Sequence, residues 1–177
     1  MTMTALPEAV QQLLDRQQIE DVLNRYSRAV DRADVDLLRG CYHPDATEDH
    51  GGVFKGTARD YVDQIAGILP RAGIMNHLAT NVLVEFEGAD VARVETYILT
   101  FARMKKDGEK FDTLTLARAV DRFERRGGRW AISARRLCFE WNHEMPMRET
   151  WGRGLMVADA SQLVRGAKHP SDILYRD

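Results

Sequence analysis

The 177-residue chain has only two cysteines, Cys41 and Cys138, far apart and outside any CxxC pair. That scarcity excludes a disulfide-built scaffold and a cysteine-rich zinc module. It suits a reducing cytoplasm and leaves a buried, unreactive role as the default for both thiols. Long apolar runs are missing as well, so nothing reaches the roughly 20 residues that span a bilayer. The first ten residues, MTMTALPEAV, lack the basic and apolar segments of a secretory leader. Net positive charge is also absent: 25 Lys and Arg stand against 27 Asp and Glu, a formal charge of −2. No basic field therefore draws nucleic acid or an anionic membrane, and neither is expected as a partner. There is no internal repeat and no low-complexity segment. What remains is an ordinary globular balance, 44% hydrophobic and 29% charged, in a chain long enough for one domain with a real core.

The first half reads as helix. Ile19, Val22, Leu23, Tyr26 and Val30 recur at helical spacing and predict one long amphipathic helix from about Pro7 to Asp31. Ala33–Tyr42 reads as a second, short helix with Asp34 as N-cap, stopped by His43-Pro44-Asp45 because proline disfavours helix in the residue before it. Thr47–Phe54, with Gly51-Gly52, reads as a strand with a tight turn or bulge, and Thr57 caps a third helix running to about Leu69. The second half changes period. His77–Glu87, Val91–Lys105, Phe111–Arg125 and Trp130–Trp141 read as strands, joined at Gly88-Ala89-Asp90, Asp107-Gly108 and Gly127-Gly128. Helices first and an antiparallel meander second is an α+β order. A twisted sheet wrapped around helices makes a cone with one open mouth, suited to a small-molecule site. The reading is one domain over 1–142 and a separate tail over 143–177. The tail carries Met145, Met147, Trp151, Leu155 and Met156 and is too apolar for a free linker, so it is expected to cover the cavity or an oligomer interface.

On the strand that begins at His77, alternation sends His77, Ala79 and Asn81 one way and Leu78, Thr80, Val82 and Val84 the other. The first set is small and polar, the character of a pocket wall, although a lone strand histidine is more commonly structural. Asp31 lies at the edge of the helical stripe, where either solvent or the cone mouth is open to it. Tyr26, five residues earlier, could reach the same mouth. Thr96, Ile98 and Thr100 share one strand face and Tyr97, Leu99 and Phe101 the other. One face lines the cone, and the other is read as an oligomer interface with core as the alternative. The cluster His43, Asp45, Glu48, Asp49 and His50 has the donor chemistry of a divalent-ion site. Strand alternation splits it, and no metal is expected.

The order R-Y-S-R-A-V-D-R-A-D-V-D-L-L, Y-H-P-D-A, F-K-G, N-H-L-A-T-N and D-R-F-E-R-R-G-G-R-W-A-I-S-A-R-R resembles the SnoaL-like family of the NTF2-like superfamily, over about Gln17 to Trp141. The resemblance implies an NTF2-like cone, with N-terminal helices packed in a curved antiparallel sheet. It also implies a cofactor-free active site, because members include dehydratases, a dehydrochlorinase and an aldehyde-releasing carbon–carbon lyase. Family enzymes pair a histidine near the start of a sheet strand with an aspartate at the end of the first helix, and His77 and Asp31 match those positions. Tyr26 matches a tyrosine five residues before that aspartate. Arg135 is the nearest match to a cavity arginine on the last strand. Arg136 is adjacent and faces the other way, and a bulge would exchange the two. Glu48-Asp49-His50 departs from the family pattern and is read as lining the cavity mouth.

These readings converge on a cofactor-independent lyase acting on a hydrophobic, hydroxylated, aromatic small molecule, with loss of water or release of a small aldehyde as the reaction. His77, Asp31, Tyr26 and Arg135 are the expected catalytic set. Asn81, Ile98, Thr100, His50 and Trp141 are the expected substrate contacts. The alternative is a non-catalytic NTF2-like subunit, such as the small subunit of a ring-hydroxylating dioxygenase, or a ligand-binding protein. A cytoplasmic homo-oligomer, dimer or trimer, is the expected state.

Overall fold

The computed structural model describes residues 7–149 and 160–176. Helix α1 (Glu8–Arg32) buries the predicted stripe, Ile19, Val22, Leu23, Tyr26 and Val30, together with Asp15 and Asp31. Its end is set by Ala33, which turns left-handed at φ 56° and caps the carbonyls of Ala29 and Val30. Asp34 then accepts the Leu37 N–H at 3.0 Å and starts α2 (Val35–Arg39). That helix is shorter than expected, because Tyr42 already belongs to strand β1 (Tyr42–Asp49). His43-Pro44-Asp45, expected to stop the helix, is itself strand. Pro44 falls between the pairs Tyr42–Ile132 and Thr47–Ala134, where the ladder is irregular and its missing N–H breaks no bond. A glycine turn leads into β2 (Lys55–Thr57), and the Thr57 hydroxyl caps α3 (Ala58–Ala66) through the Asp60 N–H.

Four long strands follow: β3 (Met75–Phe86), β4 (Val91–Lys106), β5 (Glu109–Arg126) and β6 (Arg129–Pro146). The sheet order is β2-β1-β6-β5-β4-β3. The helices pack on the inner face of this curved, unclosed sheet, which is the expected α+β cone. One feature of the expectation is corrected: the sheet is mixed, because β1 runs parallel to β6 while the other neighbours are antiparallel. Turn signals report hairpins only. The pairing of the first strand with the last joins segments about ninety residues apart, and no local signal marks it.

The core lies between α1 and the inner sheet face, where Val84, Val94, Phe123, Trp130 and Ile132 are fully buried. Asp15, on the buried face of α1, is held by the Trp130 indole N–H at 2.9 Å and Arg125 at 2.9 Å. Three irregularities decide which side chains face this core. In β3 the register shifts between Thr80 and Leu83, with Asn81 at φ 48°. In β6 the partners of Arg122 and Phe123 are Ala134 and Ile132, so Ser133 is extra, and between Phe139 and Trp141 Glu140 is extra. Each extra residue reverses the alternation beyond it.

Tyr97, Leu99 and Phe101 lie on the outer face, as do Leu78 and Leu83, which are exposed. Cys41 is buried, but Cys138 is exposed, against the expectation that both are interior. Trp151, Leu155 and Met156 of the apolar tail fall outside the described residues. Beyond them, residues 160–176 dock on the C-terminal end of α1. The His169 N–H donates to the Arg32 carbonyl at 2.6 Å, Lys168 Nζ to the Asp31 carbonyl at 2.9 Å, and the Tyr175 hydroxyl to Asp34 at 2.9 Å. Among the described residues no helix is long and apolar enough to cross a membrane.

Candidate active site

Between α1, α3 and the inner sheet face lies a cavity of about 240 Å³. Tyr26, His50, His77, Ile98, Thr100 and Arg135, all singled out from the sequence, line it. Among the described residues three larger hollows lie elsewhere, one toward Gly166, one along the outer sheet face beside Arg93 and Arg136 and one beside Phe86 and Arg125, and none contains His77.

His77 reaches the cavity because residues before the β3 bulge point inward at odd positions. Its Nδ1 lies 2.6 Å from Asp31 Oδ1, and its backbone N–H donates to both Asp31 oxygens at 3.1 and 3.0 Å. Asp31 is itself buried and stands behind the imidazole, which lines the cavity. A carboxylate accepts a hydrogen bond from Nδ1–H, which leaves Nε2 as the ring nitrogen that faces the cavity chemistry.

Arg135 is 3% exposed. The Ser133 bulge sets its direction, turning Arg135 inward and Arg136 outward. Its guanidinium binds Asp121 in a fork, Nε to Oδ1 at 2.9 Å and Nη2 to Oδ2 at 2.7 Å, and its central carbon stands 4.1 Å from the centroid of the Tyr26 ring. Among the described residues, the buried Nη1 has no hydrogen-bond partner. Burial opposes the charge of Arg135, but the Asp121 carboxylate overcomes it and holds the guanidinium protonated. Burial likewise raises the Tyr26 hydroxyl above its ordinary range, with Arg135 opposing, so Tyr26 remains a donor at neutral pH.

A second polar cluster stands at the end of β1. Glu48, 1% exposed, accepts from the Tyr42 hydroxyl at 2.8 Å and holds His50 Nδ1 at 2.8 Å. The Tyr61 ring stacks on His50 at 4.8 Å between centroids, and its hydroxyl lies 3.5 Å from His50 Nε2. Gly51, at φ 58°, carries the chain past the Phe139 ring, and a Cβ there would sit 2.9 Å from it. The suspected metal cluster is dispersed by the same strand. His43 bonds the Glu124 carbonyl, Asp45 pairs with Arg126, and Asp49 pairs with Lys55 on the far face from Glu48.

Two expected contacts are placed elsewhere. Asn81 is at the β3 bulge and exposed, because the extra residue there ends the inward alternation that His77 and Ala79 follow. Trp141 is 45% exposed and pairs with Leu116, since the extra Glu140 turns it away from the face that Phe139 keeps. The sequence reading missed Tyr61, Met75, Leu137 and Phe139 on the wall and Asp121 behind it, and Glu48, expected at the cavity mouth, is buried behind His50. The signal for Phe139 was the inward parity shared with Arg135 and Leu137.

Residues 11–136 match the SnoaL-like domain family. None of the curated proteins matches the chain. Among solved structures, the chain is similar to a candidate scytalone dehydratase from Novosphingobium aromaticivorans, at 19% identity and a TM-score of 0.70, covering 79% of this chain and 93% of that one. It is similar to a type 3 hexachlorocyclohexane dehydrochlorinase from Novosphingobium barchaimii, at 23% identity and a TM-score of 0.67, covering 78% and 94%. It is also similar to a candidate aromatic ring hydroxylase from Novosphingobium aromaticivorans, at 21% identity and a TM-score of 0.64, covering 80% and 96%. At these identities the likeness is one of fold.

Proposed function

Since the chain belongs to the SnoaL-like domain family, we propose that it is a cofactor-independent lyase that uses His77 and Asp31 as its acid–base pair. The observation that carries this reading is the 2.6 Å contact between His77 Nδ1 and the buried Asp31 carboxylate, with the imidazole on a cavity wall. Asp31 fixes the tautomer and stabilises the imidazolium, and Nε2 removes a proton from the substrate. Tyr26 donates to the leaving oxygen. Arg135, on the wall beside Tyr26, stabilises developing negative charge through its field, although the Asp121 fork offsets part of it.

Met75, Ile98, Leu137 and Phe139 give the wall an apolar, partly aromatic character, which suits a hydroxylated aromatic substrate. A cavity of about 240 Å³ is at the small end for such sites, so a molecule of one or two rings is favoured. Loss of water and release of a small aldehyde are the two reactions to test. The dehydrochlorinase and the candidate dehydratase among the relatives support elimination chemistry. The protein is further proposed to be a cytoplasmic homo-oligomer, dimer or trimer, through the outer face of Tyr97, Leu99 and Phe101, with part of the tail that follows β6 covering the cavity or that interface.

The test is a panel of hydroxylated one- and two-ring aromatics, followed for release of water or formaldehyde, with His77→Ala as control. Turnover that the variant lacks supports the reading, and equal rates in both proteins overturn it. The likeness to a candidate ring hydroxylase keeps a second reading, a non-catalytic partner subunit. Purification separates the two: a subunit comes out with an iron–sulfur chain and an enzyme alone.

A further inference from the structure

His77 is not the only histidine that a buried carboxylate aims into this cavity. From Glu48 and His50 we infer a second acid–base group, with His50 as the acid that protonates the leaving group; the inference rests on the lyase reading above. The two histidines enter from opposite margins of the sheet. His77 is on β3, the last strand in the sheet order, and His50 follows β1, the second.

Glu48 is the feature that a structural role explains least. It is a carboxylate of 1% exposure at a position where strand alternation calls for an apolar side chain. Burying it is costly unless its oxygens are bonded. Both are: Oε2 takes the Tyr42 hydroxyl and Oε1 takes His50 Nδ1. The second bond repeats the Asp31–Nδ1 geometry, 2.8 Å here and 2.6 Å there. With Nδ1–H given to Glu48, the other pole, Nε2, carries any proton exchanged with the cavity. Tyr61, stacked on the ring, and Phe139, edge-on at 6.3 Å between centroids, fix its plane. Tyr61 also lies within reach of Nε2 at 3.5 Å, a contact long enough for a substrate oxygen to replace.

The step balances without a redox partner. His77 Nε2 takes the substrate proton, and the electron pair of that bond forms the new π bond. The bond to the leaving oxygen breaks, the oxygen keeps its pair, and it takes the proton from His50 Nε2. His77 ends charged and His50 neutral, and solvent returns the proton after the product leaves. Tyr26 donates a hydrogen bond to the same oxygen.

Leaving-group dependence tests this. The probes are 5-nitrobenzisoxazole, whose leaving phenolate needs no acid, and unsubstituted benzisoxazole, whose more basic leaving oxygen does. Both lose a carbon-bound proton to a base as the nitrogen–oxygen bond opens. Each is followed with the full chain, His50→Gln, Glu48→Gln and His77→Ala, all checked for native circular dichroism. His50→Gln is expected to slow the unsubstituted probe at least about tenfold more than the nitro probe, with Glu48→Gln in the same direction and His77→Ala losing both. Equal losses on the two probes, or none, in both His50→Gln and Glu48→Gln overturn the assignment while leaving His77 as the base. Unchanged rates in His77→Ala overturn the lyase reading and this inference with it.

Discussion

Asp31 holds His77 at two points: its carboxylate accepts the His77 backbone N–H through both oxygens, and Oδ1 lies 2.6 Å from the ring Nδ1. One side chain thus ties the end of α1 to the start of β3 and orients the imidazole. The two duties separate by substitution. His77→Ala removes only the ring and is expected to lower turnover by roughly 10²–10⁴-fold with little change in melting temperature. Asp31→Ala also strands a buried N–H and is expected to cost about 1–3 kcal/mol of stability besides. Asp31→Asn keeps an acceptor for the backbone but lets the amide donate to Nδ1, so its loss falls mainly on turnover. Steady-state kinetics beside thermal melts check all three, and an active His77→Ala rules out this assignment.

Arg135 and Asp121 form a buried, forked pair at 2.9 and 2.7 Å. Removing one partner leaves an uncompensated charge in the interior. Asp121→Ala is expected to destabilise by about 3–5 kcal/mol, while the double change Arg135→Met with Asp121→Leu is expected to be much milder. Denaturant unfolding of the two variants decides this. A double variant as unstable as the single would mean that volume and not charge governs the site.

Much of the fold was legible because helical and strand periods report burial directly. The stripe on α1 named the residues that are buried, and the Thr57 and Asp34 caps were readable from local chemistry. The site was legible only as far as alternation held. His77 precedes the β3 bulge, so simple alternation carries it to the inner face; Asn81 is the bulge and Trp141 follows one, so simple alternation brings neither to the cavity wall. Arg135 against Arg136 was undecidable for the same reason, since Ser133 looks like any strand serine. Glu48 was legible as a residue near the cavity mouth, but its burial was not, because strand alternation alone does not show that α3 covers the end of β1.

The β3 bulge yields a prediction of its own. Asn81 sits at φ 48°, a conformation that asparagine and glycine tolerate and branched residues do not. Asn81→Gly is expected to be near neutral, and Asn81→Val to cost about 1–2 kcal/mol. Because Asn81 faces away from the cavity, neither change should alter KM for any substrate found. A KM shift in Asn81→Gly at unchanged stability would return this residue to the site.

The last prediction concerns residues 160–176, which close over the end of α1 behind Asp31. Three bonds reach α1 or the cap after it, at the carbonyls of Asp31 and Arg32 and at the Asp34 carboxylate. Helix ends leave their last carbonyls unsatisfied, so this segment supplies donors that α1 lacks. Asp172 organises the segment: it pairs with Arg32 at 3.5 Å and accepts the N–H groups of Ala167 and Leu174 at 2.8 and 3.0 Å. Those backbone bonds, first that from Ala167, hold its carboxyl below the ordinary value of 3.8. For an acid with a lowered folded-state value, the stabilisation is complete above the ordinary value and is lost as pH falls through the lowered one. The segment is therefore expected to stay docked at neutral pH and to release in acid below the ordinary carboxylate range, read as protease cleavage near Gly166 before the sheet unfolds. Asp172→Asn is expected to release it already at neutral pH. Truncation after Glu149 leaves β6 intact and removes the docking segment together with residues 150–159. It is expected to loosen the end of α1 and lower kcat through a less well-held Asp31, whereas a lid over the cavity predicts mainly a raised KM. A truncated protein with unchanged kinetics and melting temperature would show that the tail serves neither Asp31 nor the cavity.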